Sequence, residues 1–204
     1  MIEPLTRTLV EYSQLAIGPV HAVLCVGLLR LALQAGEMFR EGIDRWRHRR
    51  SWDAFVRALR ERTADPSDWR RSGYSSLHRW VNERTRTIDD LDLILPEAEA
   101  WVQRRLGALQ VWIRTGPMFG LIGTLAPLGP ALDGLATSDL RTLSENLSVA
   151  FTTTILGIAI GAAAYWLYVI RRGWSERDLI ELEGIAARAA GHRAPGRGMA
   201  ENAS

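Results

Sequence analysis

The chain of 204 residues contains no lysine, and all 25 of its basic residues are arginine. Lysine would serve as well at most solvated positions, so its absence indicates a GC-rich genome rather than a particular function. The chain also has a single cysteine, Cys25, which excludes an intrachain disulfide framework and the repeated cysteines of a zinc site.

Residues for catalysis or metal binding are equally sparse. The four histidines, His21, His48, His78 and His192, are scattered, and no two have the spacing of metal ligands. We interpret them as solvated or packed side chains. The sequence has no nucleophile–base pair and no phosphate-binding loop, so we expect no enzyme activity, no cofactor and no metal.

What the chain does contain is three long apolar stretches, at residues 15–36, 111–135 and 147–170. The third has no charged residue over its 24 positions. About 20 apolar residues in a helix cross the hydrocarbon core of a bilayer. The sequence therefore predicts an all-α integral membrane protein with three transmembrane helices and long cytoplasmic helical extensions.

The first stretch could instead be a cleaved signal peptide. Signal peptides begin with positive charge and end at a small-residue cleavage site. Here Glu3 and Glu11 outnumber Arg7, and no such site follows, so we expect the stretch to remain as a membrane span.

Arginine is unevenly distributed between the stretches. Sixteen arginines lie between Arg40 and Arg114 and six from Arg171 onward, whereas Arg7 and Arg141 stand alone in their segments. Positive charge stays in the cytoplasm, so we expect an inner (plasma) membrane protein with its N terminus outside and its C terminus inside. The predicted segments are an extracytoplasmic 1–14, a cytoplasmic helical 37–110, a short extracytoplasmic loop 136–146, a cytoplasmic helix 171–190 and a disordered tail 191–204.

Segment 37–110 contains a predicted turn at Asp65-Pro66-Ser67 and the arginine-rich run RWRHRR at 45–50. Such a run could bind nucleic acid or lipid phosphate. A topology signal at the membrane edge is the simpler interpretation. For the chain as a whole we expect contacts with membrane lipids and none with nucleic acid.

Small residues recur on the second and third stretches at helical spacing. Gly116, Gly120 and Gly123 lie near one face of the second, and Gly157 and Gly161 form a small-xxx-small pair in the third. Such faces allow transmembrane helices to pack closely. Farther along the second stretch, prolines 127 and 130 are expected to kink or end the helix.

Threonines are the polar residues deepest in these stretches, chiefly Thr124, Thr153 and Thr154. Their hydroxyls could simply hold the helices together, or they could line a polar path for an ion. No Asp, Glu, Lys or His lies deep in the second or third stretch. A proton relay normally needs a titratable group, so an ion carrier here must come from another chain or from water. This favours a partner subunit that contributes a buried carboxylate.

Two motifs in these stretches resemble those of the MotA/TolQ/ExbB proton-channel family, in its TolQ/ExbB-like branch. The second stretch has the family's Pro-x-x-Gly-Leu-x-Gly-Thr run at 117–124, and the third carries Ala150, Phe151, Thr154 and Gly157 in the second motif. The resemblance covers about residues 111–172. Two positions depart from it: Val149 replaces an expected glutamate, and Ala126-Pro127 occupies the place of a common tryptophan.

The resemblance implies a homopentamer around two copies of the transmembrane helix of a small single-span partner. The partner's Asp would lie in a pore lined at Thr124 and Thr154, and proton passage would drive motion in a stator or motor complex. The alternative is a non-conducting scaffold or signalling anchor that acts through its cytoplasmic helices. The residues do not distinguish a proton from a sodium ion, nor transport from envelope maintenance, motility or defence.

Overall fold

The structure, a computed structural model, describes residues 17–61, 73, 75–85, 87 and 90–193. These residues form four helices and no strand: α1 is Ile17–Arg60, α2 is Ser76–Arg84, α3 is Asp90–Ala136 and α4 is Leu140–Arg193. Helices α1, α3 and α4 each contain a stretch long and apolar enough to cross a membrane. The predicted all-α membrane class with three spanning helices is thus confirmed.

The spanning helices are longer than the apolar stretches that they contain. Helix α1 continues well beyond residue 36, and α3 begins at Asp90, far before residue 111. Helix α3 also runs through Pro127 and Pro130 to Ala136, so the prolines do not end it. Membrane helices tolerate proline when nearby groups satisfy the freed backbone carbonyls.

The non-helical connection between α3 and α4 is short, since helix resumes at Leu140 inside the predicted loop 136–146. Ser138 adopts a left-handed conformation, with a φ of 58°. The Asp139 carboxylate then accepts hydrogen bonds from the backbone N–H groups of Arg141 and Thr142, at 3.1 and 3.2 Å. This N-cap explains the early start of α4, because it satisfies donors that the first helical turn leaves free.

Some predicted segments lie outside the described residues. They are segment 1–14, the turn at Asp65-Pro66-Ser67 and residues 194–204 of the predicted tail. The first three residues of that tail, 191–193, belong to α4.

The chain divides into two compact units. Within the described residues, the membrane unit comprises 17–35 and 107–168, and the extramembrane unit comprises 36–61, 73, 75–85, 87, 90–106 and 169–193. We describe each by itself.

In the membrane unit, α3 and α4 cross at Gly116, Gly120 and Gly157, which we call the glycine crossing. A Cβ added at Gly157 would lie 2.7 Å from both the Gly116 carbonyl oxygen and the Gly120 Cα. One added at Gly116 would lie 3.0 Å from the Gly157 carbonyl oxygen. Backbone contacts this close leave no room for a side chain at Gly157, and Gly116 and Gly120 are packed nearly as tightly.

The other two predicted packing glycines flank this crossing. A Cβ at Gly123 would lie 2.7 Å from the Cβ of Thr153, and one at Gly161 would lie 2.9 Å from the ring of Pro117. The α3–α4 contact therefore extends over about two turns of each helix.

Large apolar side chains cover the outside of the membrane unit. Leu29, Leu121, Phe151, Ile155 and Trp166 are each 60–67% exposed in the single chain. Lipid tails or other membrane helices suit such a surface, and water does not.

The extramembrane unit has its own apolar core. Its most buried side chains, each at most 2% exposed, come from all four helices: Trp52, Leu77, Val81, Leu91, Leu182 and Ile185. The short helix α2 is held at its N terminus by Ser75, whose hydroxyl accepts a hydrogen bond of 3.0 Å from the His78 backbone N–H.

The glycine crossing yields a stability prediction. Gly157→Ala should lower the free energy of unfolding by about 1–3 kcal/mol, because the added methyl group overlaps backbone atoms of α3. Thermal unfolding of the purified protein in detergent measures this change.

Gly173→Ala is the matched control on the same helix. A Cβ at Gly173 meets nothing within 4 Å, so alanine should leave stability unchanged or raise it by about 0.5–1 kcal/mol. Equal effects of the two substitutions would contradict the close packing at Gly157.

Candidate functional site

The hydroxyl groups of Thr124 on α3 and Thr154 on α4 lie 2.7 Å apart, and we call them the hydroxyl pair. Thr124 Oγ1 also donates to the Gly120 carbonyl at 2.9 Å. Thr154 Oγ1 lies 3.5 Å from the same carbonyl, so either hydroxyl can donate in the bond between the two. In both orders Thr154 Oγ1 keeps a lone pair that can accept a further hydrogen bond.

Thr153, the neighbour of Thr154, faces a different direction. Its side chain is fully buried, and its hydroxyl lies 2.9 Å from the Ala150 carbonyl and 3.1 Å from that of Val149. It packs against Gly123 in the α3–α4 contact. Of the three threonines proposed for the ion path, the structure thus brings Thr124 and Thr154 together and places Thr153 inside the helix contact.

A second polar line lies on the exposed side of α4. Glu145, Ser148 and Thr152 are exposed and spaced by three and four residues, so they share a face. The Thr152 hydroxyl donates to the Ser148 carbonyl at 2.8 Å. Ser148 is not among the site residues predicted from the sequence, although its helical spacing from Glu145 and Thr152 could have identified it.

The acidic residues of the described membrane unit are Asp133, Asp139 and Glu145, all close to the connection between α3 and α4. Among the residues that the structure describes, the hydroxyl pair therefore has no carboxylate beside it. Threonine does not titrate near neutral pH, so this arrangement can orient or relay a proton and cannot store one.

The extramembrane unit contains a buried ion-pair cluster of Glu41, Arg45 and Asp178. The guanidinium of Arg45 donates to both carboxylate oxygens of Asp178, one at 3.0 Å, and pairs with Glu41 at 3.1 Å. Glu41 also accepts a 3.0 Å hydrogen bond from the Ser76 hydroxyl. These bonds tie α1, α2 and α4 together.

Beside this cluster, Trp52 links a histidine and a glutamate. Its indole N–H donates to Glu181 at 2.5 Å, and its ring lies 4.4 Å from that of His78 between centroids. Burial lowers the pKa of His78 to about 4, with the opposing charge of Asp178 only partly offsetting it. The imidazole is therefore neutral at physiological pH.

His78, Asp178 and Glu181 have potential metal-ligand atoms within 4.8 Å of one another. A divalent cation there would face the positive charge of Arg45, which already holds both oxygens of Asp178. We therefore interpret the group as part of a structural ion-pair cluster rather than a metal site. The ion-pair cluster could not be predicted from the sequence, because Arg45 and Asp178 are 133 positions apart.

A further ionic contact joins three helices of the extramembrane unit. Glu37 on α1 lies 3.2 Å from Arg105 on α3 and 3.7 Å from Arg171 on α4. Glu37 directly follows the first apolar stretch, and Arg171 directly follows the third.

The fold and the hydroxyl pair define a membrane subunit with packed spanning helices and no mid-span carboxylate of its own. The family profile of the MotA/TolQ/ExbB proton channel family matches residues 34–183, so the chain belongs to that family. This confirms the resemblance drawn from the two motifs.

One curated relative is a putative biopolymer transport protein ExbB homolog from Methanothermobacter thermautotrophicus. It is 29% identical over 101 residues, which cover 49% of this chain and 36% of the relative. The chain thus spans about a third of the relative's length, and the match supports the TolQ/ExbB-like branch. No solved structure matches the chain.

The buried histidine yields a pH prediction. The folded-state pKa of His78 lies below its ordinary value of 6.5, so the unfolded chain binds more protons between pH 4 and 6.5. Stability should therefore fall as pH drops through this window, by about 3 kcal/mol for this residue. Thermal unfolding of the wild-type protein at pH 7.5 and 4.5 measures the loss.

His78→Phe is the comparison variant, since it keeps an aromatic ring against Trp52 and cannot titrate. Its stability should fall clearly less than that of the wild type over the same pH range. An identical pH dependence in both proteins would refute the assignment to His78.

Proposed function

We propose that this chain is the channel and stator subunit of a protonmotive-force-driven complex in the inner (plasma) membrane. Several copies, five by the family pattern, form a ring around the transmembrane helix of a small single-span partner. An aspartate of that partner carries the proton past the ring. Family membership supports this assignment, and the hydroxyl pair in a membrane unit without a mid-span carboxylate is the observation that carries it.

The hydrogen-bond order at the hydroxyl pair suits a carboxyl group that loads and unloads a proton. When Thr124 donates to the Gly120 carbonyl, Thr154 donates to Thr124, and Thr154 Oγ1 is left as an acceptor. A protonated carboxyl can donate to this oxygen, whereas a carboxylate cannot. In this order the pair favours the protonated form of a partner's Asp at this depth.

The surface of the membrane unit supports assembly into a ring. Small residues draw α3 and α4 of one copy together, while large apolar side chains such as Phe151 and Ile155 remain exposed. Three spanning helices packed this closely leave no pore of their own, so a central cavity requires several copies.

The energy available is adequate for mechanical work. One charge that crosses 100 mV of membrane potential releases about 2.3 kcal/mol. The arginine distribution supports an orientation with the N terminus outside and the extramembrane unit in the cytoplasm, where motion of the ring or the partner would be used.

The proposal predicts that proton flux needs the hydroxyl pair. In liposomes that contain this chain with a co-expressed single-span membrane protein carrying a transmembrane Asp, Thr124→Val and Thr154→Val should each lower proton uptake at least about tenfold. A tenfold change equals about 1.4 kcal/mol, which is of the order expected for one lost hydrogen bond. A pH-sensitive dye inside the liposomes measures the uptake.

Thr115→Val is the matched control, because the Thr115 hydroxyl bonds to the Val111 carbonyl of its own helix at 2.9 Å. It should conduct like the wild type. Unchanged flux in both pair variants would remove the proposed path. Complete absence of flux in the wild-type complex would favour the alternative, a non-conducting scaffold or signalling anchor.

A further inference from the structure

The extramembrane part of α1 carries an apolar and basic face that the other described residues of the chain leave exposed. Phe39, Ile43 and Trp46 are 73, 41 and 82% exposed, and their spacing of four and three residues places them on one face. Trp46 borders an open depression of about 260 Å³ together with the exposed residues Arg47 and Arg50. Exposed apolar side chains of this size mark a contact surface.

A surface of the opposite charge lies on the first half of α3. Leu93 is 78% exposed, and Asp92, Pro96 and Glu97 around it are exposed as well. These four residues fall within one side of the helix by their spacing. The face of α1 is thus basic with an apolar centre, and the face of α3 is acidic with an apolar centre.

We infer that these two faces dock between neighbouring copies of this chain, with Arg50 against Asp92 and Trp46 beside Leu93 and Glu97. The inference rests on the ring of copies proposed above and adds the surface that joins them. The two faces differ from each other, so the contact is head-to-tail, which is the type that closes into a ring.

The register of the contact follows from one ion pair within a chain. Glu37 on α1 and Arg105 on α3 lie 3.2 Å apart, so they share a level. Arg50 and Asp92 are each thirteen residues from that level, and both helices lead away from the apolar stretches in that direction. A helix rises about 1.5 Å per residue, so Arg50 and Asp92 both lie about 20 Å from the shared level.

Copies around a single rotation axis are not shifted along that axis, so a given height along the axis is the same in every copy. Side chains at the same level on neighbouring copies can therefore meet when the helices run close to the axis direction. On this scale Trp46 lies about 14 Å from the Glu37 level, Glu97 about 12 Å from it, and Leu93 about 18 Å.

A lipid surface fits the α1 face less well. Glu37 is the first charged residue after the apolar stretch at residues 15–36, which itself contains Arg30. The polar interface of a bilayer is about 5–7 Å thick on each side. Trp46, about 14 Å beyond Glu37, lies past this zone, whereas a neighbouring copy can reach it.

Disulfide cross-linking between two single-cysteine chains tests the contact. In a Cys25→Ala background, one chain carries Arg50→Cys and a second carries Asp92→Cys. Co-expressed in membranes and mildly oxidised, they should form a cross-linked dimer, which must join two copies because each chain has one cysteine. Each chain expressed alone should stay monomeric on a denaturing gel.

The matched control pairs Ile43→Cys with Asp92→Cys. Ile43 lies on the same face of α1 but about 9 Å from the Glu37 level, so its cross-linking to position 92 should be at least several-fold weaker. Equal cross-linking of both pairs would overturn the register.

Native mass measurement of the same preparations separates this inference from the proposed ring. A ring of intact size without a 50–92 cross-link overturns the docking surface and leaves the ring standing. A monomeric particle overturns both. Relaxation of a spin label at Arg50→Cys by headgroup-attached nickel, in an intact ring, would assign the face to the bilayer and also overturn the inference.

Discussion

The glycine crossing between α3 and α4 is the contact on which the site depends. At Gly157 the two backbones approach so closely that a Cβ would lie 2.7 Å from the Gly120 Cα. Thr124 lies one turn after Gly120 on α3, and Thr154 lies three residues before Gly157 on α4. The close approach of the two backbones therefore brings their hydroxyls to 2.7 Å. Gly120 contributes twice, because its carbonyl also accepts a hydrogen bond of 2.9 Å from the Thr124 hydroxyl.

Charge is used differently in the two units. Between its ends, the membrane unit relies on threonine hydroxyls, whereas the extramembrane unit buries Arg45 with Asp178 and Glu41. A buried ion pair adds little net stability, because desolvation of the charges offsets their attraction. The two hydrogen bonds from Arg45 to Asp178 do fix how the helices are positioned against each other. The stabilising burial of apolar surface comes from the core around Trp52.

Sequence patterns predicted the parts of this structure that arise within one helix. Apolar length identified the spanning helices, and glycine spacing identified the faces that pack. Neighbouring residues on a helix point about 100° apart. The pattern still could not show which of Thr153 and Thr154 meets Thr124, because the direction of the partner helix was unknown. The Arg45–Asp178 pair and the Trp52–Glu181 bond could not be predicted from the sequence, because only tertiary packing brings residues so distant in sequence together.

The absence of a carboxylate beside the hydroxyl pair has a consequence for the proposed ion path. Where the family pattern has a glutamate, this chain has Val149, and Glu145 lies a turn away on the exposed face of α4. A fixed negative charge on the ring would stabilise a cation near the path at all times. A ring lined by hydroxyls instead offers hydrogen bonds that depend on whether the visiting group is protonated. On our proposal, the proton affinity of the path is therefore set by the partner's carboxyl group, and Thr154 discriminates between its two forms.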